Sequence, residues 1–306
     1  MLAGGVGAAR FLRGLFSLVD PRDATIIVNT ADDDTFFGLH VSPDLDTVTY
    51  TLAGRAPLRR GWGIRGDTFF CLRALARFYG SPWFRLGDRD LATNLFRTER
   101  LRAGLTLAEV THRIARAFGV RATVLPMTND RVRTFVTTEG RGPLPFQEYL
   151  VRHRARGKVR KIEFRGSRSA RPLPEVLRAI GEADAVLLPP SNPLVSIGPI
   201  LSLRGVRRAL RECRARVLGI SPLVRGRALK GPAHRMLAGL GHEVSPVGVA
   251  RLYADFLDVF FLDEEDEAEA PRVAELGIRP VVAPIRIASP RRARELARRV
   301  LEELSR

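Results

Sequence analysis

MLAGGVGAARFLRGLFSLVDPRDATIIV (residues 1–28) packs a strand end, a glycine turn, a helix and a second strand into one short span. Met1 to Ala3 read as the end of a strand, Gly4-Gly5-Val6-Gly7 as the turn and Ala8 to Val19 as a helix. The helix follows from Phe11, Leu12, Leu15, Phe16 and Val19, which fall on one helical face, with Pro21 as the stop. The run ATIIV (24–28) is continuously apolar, the pattern of a buried parallel strand. Strand, crossover helix and parallel strand make a βαβ unit, and this one predicts a Rossmann-like sheet. Only three residues precede the glycines, so the first strand is expected to be clipped, or the true start to lie several codons upstream.

The same rhythm returns in the second half. DAVLLP (184–189), RVLGIS (216–221) and LDVFFL (257–262) read as strands, and Leu201–Arg214 and Pro232–Leu240 as the helices between them. A last helix has Ser289 as N-cap and Pro290 at its first position, with Leu296, Val300, Leu301 and Leu304 on its buried side. Residues of about 65 to 120 read as helices, and about 120 to 165 as shorter strands with Gly/Pro turns. The expectation is an α/β, Rossmann-like three-layer fold with a mainly parallel sheet. It is a single domain over 1–306, with an insertion at about 65–175 capping the active-site edge. DEEDEAEA (263–270) reads as a solvated loop or a helix start.

Composition narrows the function classes. Hydrophobic residues are 45% and charged residues 27%, the balance of a globular chain. No apolar run approaches the roughly 18 to 20 residues needed to span a bilayer. No basic leader with an apolar block and cleavage site opens the chain, so the expected place is the cytoplasm. The formal charge of +17 invites a nucleic-acid reading, but Arg is spread over most segments, and helices such as PRRARELARRVLEEL mix both signs. The safer consequence is a surface that attracts polyanionic small molecules, with neither nucleic acid nor membrane as a partner. Cys71 and Cys213 lie in apolar helical patterns and read as buried structural thiols.

Six segments could carry chemistry. Gly4, Gly5 and Gly7 let backbone approach a phosphate at a helix N-terminus, although a turn that merely needs glycine would look the same. NTADDD (29–34) follows the strand ATIIV, where open α/β sheets bind ligands; Asp32, Asp33 and Asp34 could bind a ribose, coordinate a cation or cap a helix. In SPDLDT (42–47), Asp44 and Asp46 share a face if the segment is extended. Two such carboxylates suit Mg²⁺, or one could accept a proton; alternatively Asp44 is a cap and Asp46 is solvated. GWGIRGDTF (61–69), with Trp62, Arg65 and Asp67, looks built to meet a flat or anionic ligand, and RLGDRD (85–90) reads as a solvated turn. PPSNPLVSIGPIL (189–201) offers Ser191, Asn192, Ser196 and Gly198 on a proline-stiffened loop at a strand's carboxyl end. In SPLVRGRALKGPAHRM (221–236), Arg225, Arg227 and Lys230 could neutralise a diphosphate or simply be a basic surface loop. The five histidines form no metal pair and no Ser-His-Asp set presents itself, so the chemistry reads as positioning and electrostatics.

LAGGVG, VNTADD, SPDLDTV-YTLAG, GWGIRGDTF, LGDRDLAT with RT at 97–98, LPM (125–127), SNP--SIGPIL, SPLV----LKGPA and ARLYADFLDVFFLD occur here in this order. In that series the chain resembles the 2-phospho-L-lactate transferase family over nearly its whole length. The resemblance implies a Rossmann-like fold, often a homodimer, and dependence on Mg²⁺. It implies a guanosine diphospho-donor carrying lactate, enolpyruvate or a related acid, and as acceptor the ribityl hydroxyl of the deazaflavin Fo in coenzyme F-420 biosynthesis, with GMP leaving. Asp46 and Arg85 match positions that contact Fo, the latter commonly Lys in relatives, and Trp62 is expected beside them. Gly4, Gly5, Gly7, Ser191, Asn192 and Ser196 resemble the nucleotide side, to which Asn29, Asp32, Gly198 and Lys230 are added. Asp44 and Asp46 are expected to carry Mg²⁺ and the catalysis, a carboxylate near Asp46 taking the proton. Where many relatives read GGVGGAK, Ala8 and Arg10 stand for the Gly and Lys. The rival is a nucleotide-sugar-binding regulator of the gluconeogenesis-factor type, which shares the glycine-rich opening and an NT-x-DD segment. SPDLDT, GWGIRGDTF and SNP--SIGPIL set the chain apart from it.

Overall fold

Successive residues of the short apolar runs point into two different cores, as pleated strands covered on both faces require. Leu2, Ile27, Val217 and Phe260 belong to one core, and Ala3, Ile26, Val28, Leu218, Val259 and Phe261 to the other. The computed structural model describes residues 1–306. It opens with β1 (Leu2–Ala3), α1 (Gly5–Leu15), β2 (Thr25–Val28), the hairpin β3 (Asp34–Phe36) and β4 (Leu39–Val41), and α2 (Pro43–Leu52). Next come α3 (Phe70–Tyr79), α4 (Asp88–Arg102), α5 (Leu107–Ala117) and β5 (Thr123–Pro126), then β6 (Arg133–Thr138), β7 (Arg141–Pro145) and β8 (Val159–Arg165). The second half runs α6 (Pro174–Gly181), β9 (Ala185–Leu188), α7 (Gly198–Ser202), α8 (Val206–Glu212), β10 (Arg216–Ile220), β11 (Leu223–Val224), β12 (Arg227–Ala228) and α9 (Ala233–Gly239). It ends with α10 (Pro246–Arg251), β13 (Val259–Leu262), α11 (Ala270–Ala274), β14 (Arg279–Val282) and α12 (Pro290–Leu304).

Two parallel sheets, β5-β2-β1 and β9-β10-β13-β14, meet edge to edge with β1 beside β9. Strand order therefore reverses between β1 and β9, and their carboxyl ends open a crevice of the kind where open α/β sheets bind ligands. α1, α2 and α12 cover one face, with Phe11, Leu12, Val48, Leu296 and Val300 in that core. α6 to α8, α10 and α11 cover the other, with Val176, Ile200, Leu210, Val249 and Val273. The expected α/β class stands.

Several boundaries differ from the sequence reading. α1 begins at Gly5, not Ala8, so the glycines form its first turn. The helix expected over Leu201–Arg214 is broken: a π-helical turn (Pro193–Ile197) runs into α7, and Gly205 at φ +92° interrupts before α8. The span 65–175 is not one insertion. β5 pairs in parallel with β2, Thr25 opposite Thr123, so α5 and β5 belong to the main fold. A four-residue strand has no period long enough to declare its partner. The capping material is α3 with α4, and the antiparallel sheet β7-β6-β8. Cys71 is exposed, because α3 buries only Leu72 and leaves Phe70, Phe78 and Tyr79 outside as well. No helix is long and apolar enough to cross a membrane.

Candidate active site

A cavity of about 770 Å³ fills the crevice between the carboxyl ends of β1 and β9. That volume lies within the usual range of small-molecule sites. Its glycine wall depends on close backbone approach. A Cβ on Gly7 would lie 2.3 Å from the Pro190 carbonyl oxygen, and one on Gly4 2.5 Å from Ser196 Cβ. Gly5 takes φ +71°, a conformation that residues with side chains rarely adopt. Gly4 brings no capping side chain to α1, so apart from the Gly5 N–H, which Asp44 takes, the first-turn N–H groups remain open to a ligand at the positive end of the helix dipole. Ser191 Oγ donates to Gly4 O at 3.2 Å and ties the two strand ends together across the switch point.

The floor is a set of buried carboxylates around one buried guanidinium. Pro43 starts α2, which places Asp44 and Asp46 in its first turn rather than in an extended segment, so they do not share a face. Asp44 accepts from Asn29 Nδ2 at 3.0 Å and from the Gly5 N–H, while burial pushes its carboxyl up to about 6. Asp46 instead grips Arg97 with both oxygens, Nη1 donating to Oδ2 at 3.2 Å and Nη2 to Oδ1. Burial pushes Asp46 up and the guanidinium pulls it back. The two-pronged geometry requires the ionised form, since a protonated carboxyl would set its own hydroxyl against an Arg97 N–H. Asp32 is held well above the carboxylate range by burial and by the Asp44 charge, and its Oδ1 has no hydrogen-bond partner. Asp33 accepts from Ser42 Oγ at 2.7 Å and sits 3.0 Å from His40 Nε2. Asp90, also in the cavity wall, accepts from Tyr50 OH at 2.8 Å; burial and then the Asp46 charge push it up to about 7.

Opposite the glycines the wall is aromatic. Phe36 stacks on Phe84 with ring centres 3.9 Å apart, and Trp83 meets Phe36 edge-on. Trp83 and Phe84 line the cavity beside Trp62 and Arg85, whose guanidinium lies 4.5 Å over the Phe69 ring. Phe146, Gln147 and Leu150, which follow β7, close this side.

The cavity thus gathers Gly4, Gly5, Gly7, Asp32, Asp44, Asp46, Trp62, Arg85, Ser191, Asn192, Ser196 and Lys230 from the sequence-based set. Asn29 and Gly198 lie outside its lining. Asn29 is a positioning residue: its Nδ2 reaches Asp44 and its Oδ1 accepts from Ala31 N at 2.9 Å. Gly198 answers to packing, a Cβ there falling 3.1 Å from the Phe164 ring. The Asn192 carbonyl is spent on Leu194 N at 3.0 Å, capping the π-helical turn.

Asp67 and Asp88 are not ligand-facing or merely solvated. They cap each other's helices: Asp67 accepts from Arg89 N and Asp90 N at the start of α4, and Asp88 from Phe70 N and Cys71 N at the start of α3. Tyr50, Asp90, Arg97, Trp83 and Phe84 went unassigned in the sequence. Asp90 and Arg97 sat inside quoted blocks, but only the fold reveals that they are buried against Asp46.

For Mg²⁺ the donors present favour a different pair from the expected one. Asp46 is satisfied by Arg97. Asp32 and Asp44 both line the cavity, and Asp32 keeps one buried oxygen without a partner, donors of the kind a hard divalent cation takes.

Residues 1–299 match the family model of 2-phospho-L-lactate transferase CofD. The chain is 42% identical over 307 residues to the phosphoenolpyruvate transferase of Streptomyces griseus, covering 99% of this chain and 96% of that protein. It is 36% identical to the 2-phospho-L-lactate transferase of Methanosarcina mazei, covering 99% of each. A solved UPF0052-family protein from Bacillus halodurans shares the fold, with TM-score 0.65 and 17% identity over 98% of this chain and 97% of that one.

Proposed function

Because this chain belongs to the 2-phospho-L-lactate transferase CofD family, we propose that it transfers a phosphate-linked three-carbon acid from a guanosine diphospho-donor to the ribityl hydroxyl of the deazaflavin Fo, releasing GMP. One observation carries the reading: the cavity at the switch point is two-sided. The start of α1 and buried carboxylates face one half, and Trp62, Trp83 and Phe84 face the other. The first half suits a phosphate chain and the second a flat, fused-ring acceptor.

In this reading the diphosphate lies along the first turn of α1, where Gly4 and Gly7 allow backbone contact and the helix dipole offsets negative charge. Mg²⁺ on Asp32 and Asp44 would supply further charge stabilisation at the phosphate oxygens. The acceptor's hydroxyl oxygen attacks the phosphorus that bears the acid, the bond to the GMP oxygen breaks, and the hydroxyl proton passes to the departing GMP phosphate or to solvent. Asp46, locked to Arg97, fixes the acceptor as an anionic hydrogen-bond acceptor and is a poor proton sink. Positioning supplies the rate, as other phosphoryl-type transfers require.

The test is a mass-spectrometric assay of purified protein with Fo, Mg²⁺ and guanosine donors carrying lactate, enolpyruvate or phosphoglycerate. A single phospho-acid adduct with GMP release supports the reaction and names the donor. Binding of guanosine diphosphate with no adduct from any donor would exclude Fo as the acceptor.

A further inference from the structure

Residues 55–65 form a loop whose ends meet, Arg65 N–H donating to Arg55 O at 2.7 Å. Its tip lies over the start of α1, where Gly61 packs on Val6 so closely that a Cβ would fall 2.3 Å from Val6 Cγ1. Two cations hold it there. Arg10 Nη2 donates to Leu58 O at 2.6 Å and to Arg59 O at 3.0 Å, and Lys230 Nζ donates to Arg60 O at 2.8 Å. Both cations line the cavity, and neither forms an ion pair with a carboxylate. Burial and then the Arg10 charge hold the Lys230 ammonium below its ordinary value, so the two positive groups lie near each other with only neutral carbonyls for company. Trp62, on the same loop, lines the cavity under the Arg60 guanidinium, 4.1 Å from its ring centre.

A cation that donates to an anionic oxygen gains the attraction of opposite charges, which a neutral carbonyl oxygen does not offer. A diphosphate entering at the first turn of α1 therefore outbids the loop for both cations. We propose that Arg10 and Lys230 are the donor's diphosphate clamp, occupied before binding by the carbonyls of Leu58, Arg59 and Arg60, and that the exchange frees the loop to re-seat Trp62 over the acceptor half. The inference rests on the donor reading above. It makes binding ordered, the nucleotide first and the ring-bearing acceptor second.

Trp83→Phe leaves Trp62 as the only tryptophan, and its emission and acrylamide quenching report the loop. In the unmodified protein, tryptic cleavage after Arg59 and Arg60, read by mass spectrometry, reports the same release. Guanosine diphosphate should change both readouts, and GMP neither. Lys230→Met should start in the changed state and bind the diphosphate about tenfold more weakly, one charge-assisted contact being lost, while Lys230→Arg restores the native response. Calorimetry on the unmodified protein separates the failures. A diphosphate that binds without moving Trp62 or exposing Arg59 overturns the clamp exchange and leaves the donor reading intact. Undiminished binding by Lys230→Met likewise overturns it. A diphosphate that does not bind at all overturns the donor reading and the exchange together.

Discussion

Asp46 and Arg97 occupy the cavity floor as an ion pair in which Arg97 is 1% exposed. Removing one partner of such a pair leaves the other charge buried alone, which typically costs about 3–5 kcal/mol. Asp46→Asn is therefore expected to lower thermal stability as well as turnover. The double change with Arg97→Met should cost less than the sum of the single ones, which thermal denaturation of the three variants would check. Asp90 gives a pH prediction. Its folded-state value of about 7 is raised above that of an unfolded aspartate, so its contribution is fully present below about pH 4 and is lost as pH rises through 7. Asp90→Asn keeps an acceptor for the Tyr50 hydroxyl and removes the titration. The melting temperature of the variant should fall less between pH 4 and 8 than that of the parent; identical slopes would show that Asp90 does not titrate there. Gly7→Ala ordinarily favours a helix by nearly 1 kcal/mol. Here the new methyl group meets the Pro190 carbonyl oxygen at 2.3 Å, so the variant should instead lose about 1–3 kcal/mol, measured by denaturant unfolding.

Among the elements, α3 and α4 are paired by their own N-termini. Asp67, ahead of α3, holds the first N–H groups of α4, and Asp88, in α4, holds those of α3. Gly87 has no side chain because Asp67 occupies its place: a Cβ there would lie 2.2 Å from Asp67 Oδ2. Asp67→Ala should cost about 1 kcal/mol through the lost cap. Because the Asp90 N–H is one of the capped groups, the change should also loosen the cavity wall. Faster amide exchange at Arg89 and Asp90 than in the parent would report this, and unchanged exchange would separate the cap from the wall. GWGIRGDTF, which looks built to meet a ligand, and LGDRD, which reads as a solvated turn, thus each owe an acidic residue to helix termination. Elsewhere Ser289 caps α12 as the sequence leads one to expect, and Thr106 with Glu109 forms a capping box at the start of α5.

At the scale of the whole molecule, ligand binding is coupled to folding because the cavity is built from both halves of the chain, β1 and β9 meeting at its centre. A ligand that binds only the folded form stabilises it by about 2.7 kcal/mol at a hundredfold excess over its dissociation constant. Guanosine diphosphate with Mg²⁺ is thus expected to raise the melting temperature by several degrees. Chelation should remove most of that gain, and Asp44→Asn should abolish the metal-dependent part. A metal-independent shift would exclude the Asp32–Asp44 pair as the cation's ligands.

The sequence by itself determined the layered α/β class, the strand–glycine–helix opening, the sites of five of the seven strands in the two parallel sheets and the identity of the family. Each of these is written in local signals: apolar runs, glycines at a strand end, caps, and contiguous motifs. Only the tertiary structure decided that Asp44 and Asp46 face different partners, that TVLP (123–126) is an edge strand of the main sheet, and that Lys230 reaches the 55–65 loop. Periodicity tells which side of an element is buried, but not which residue distant in the chain it is buried against. A carboxylate's role depends on that neighbour: Asp46, Asp67 and Asp90 are one residue type in similar surroundings of sequence, made an ion-pair partner, a helix cap and a titrating acid by what the fold sets beside them.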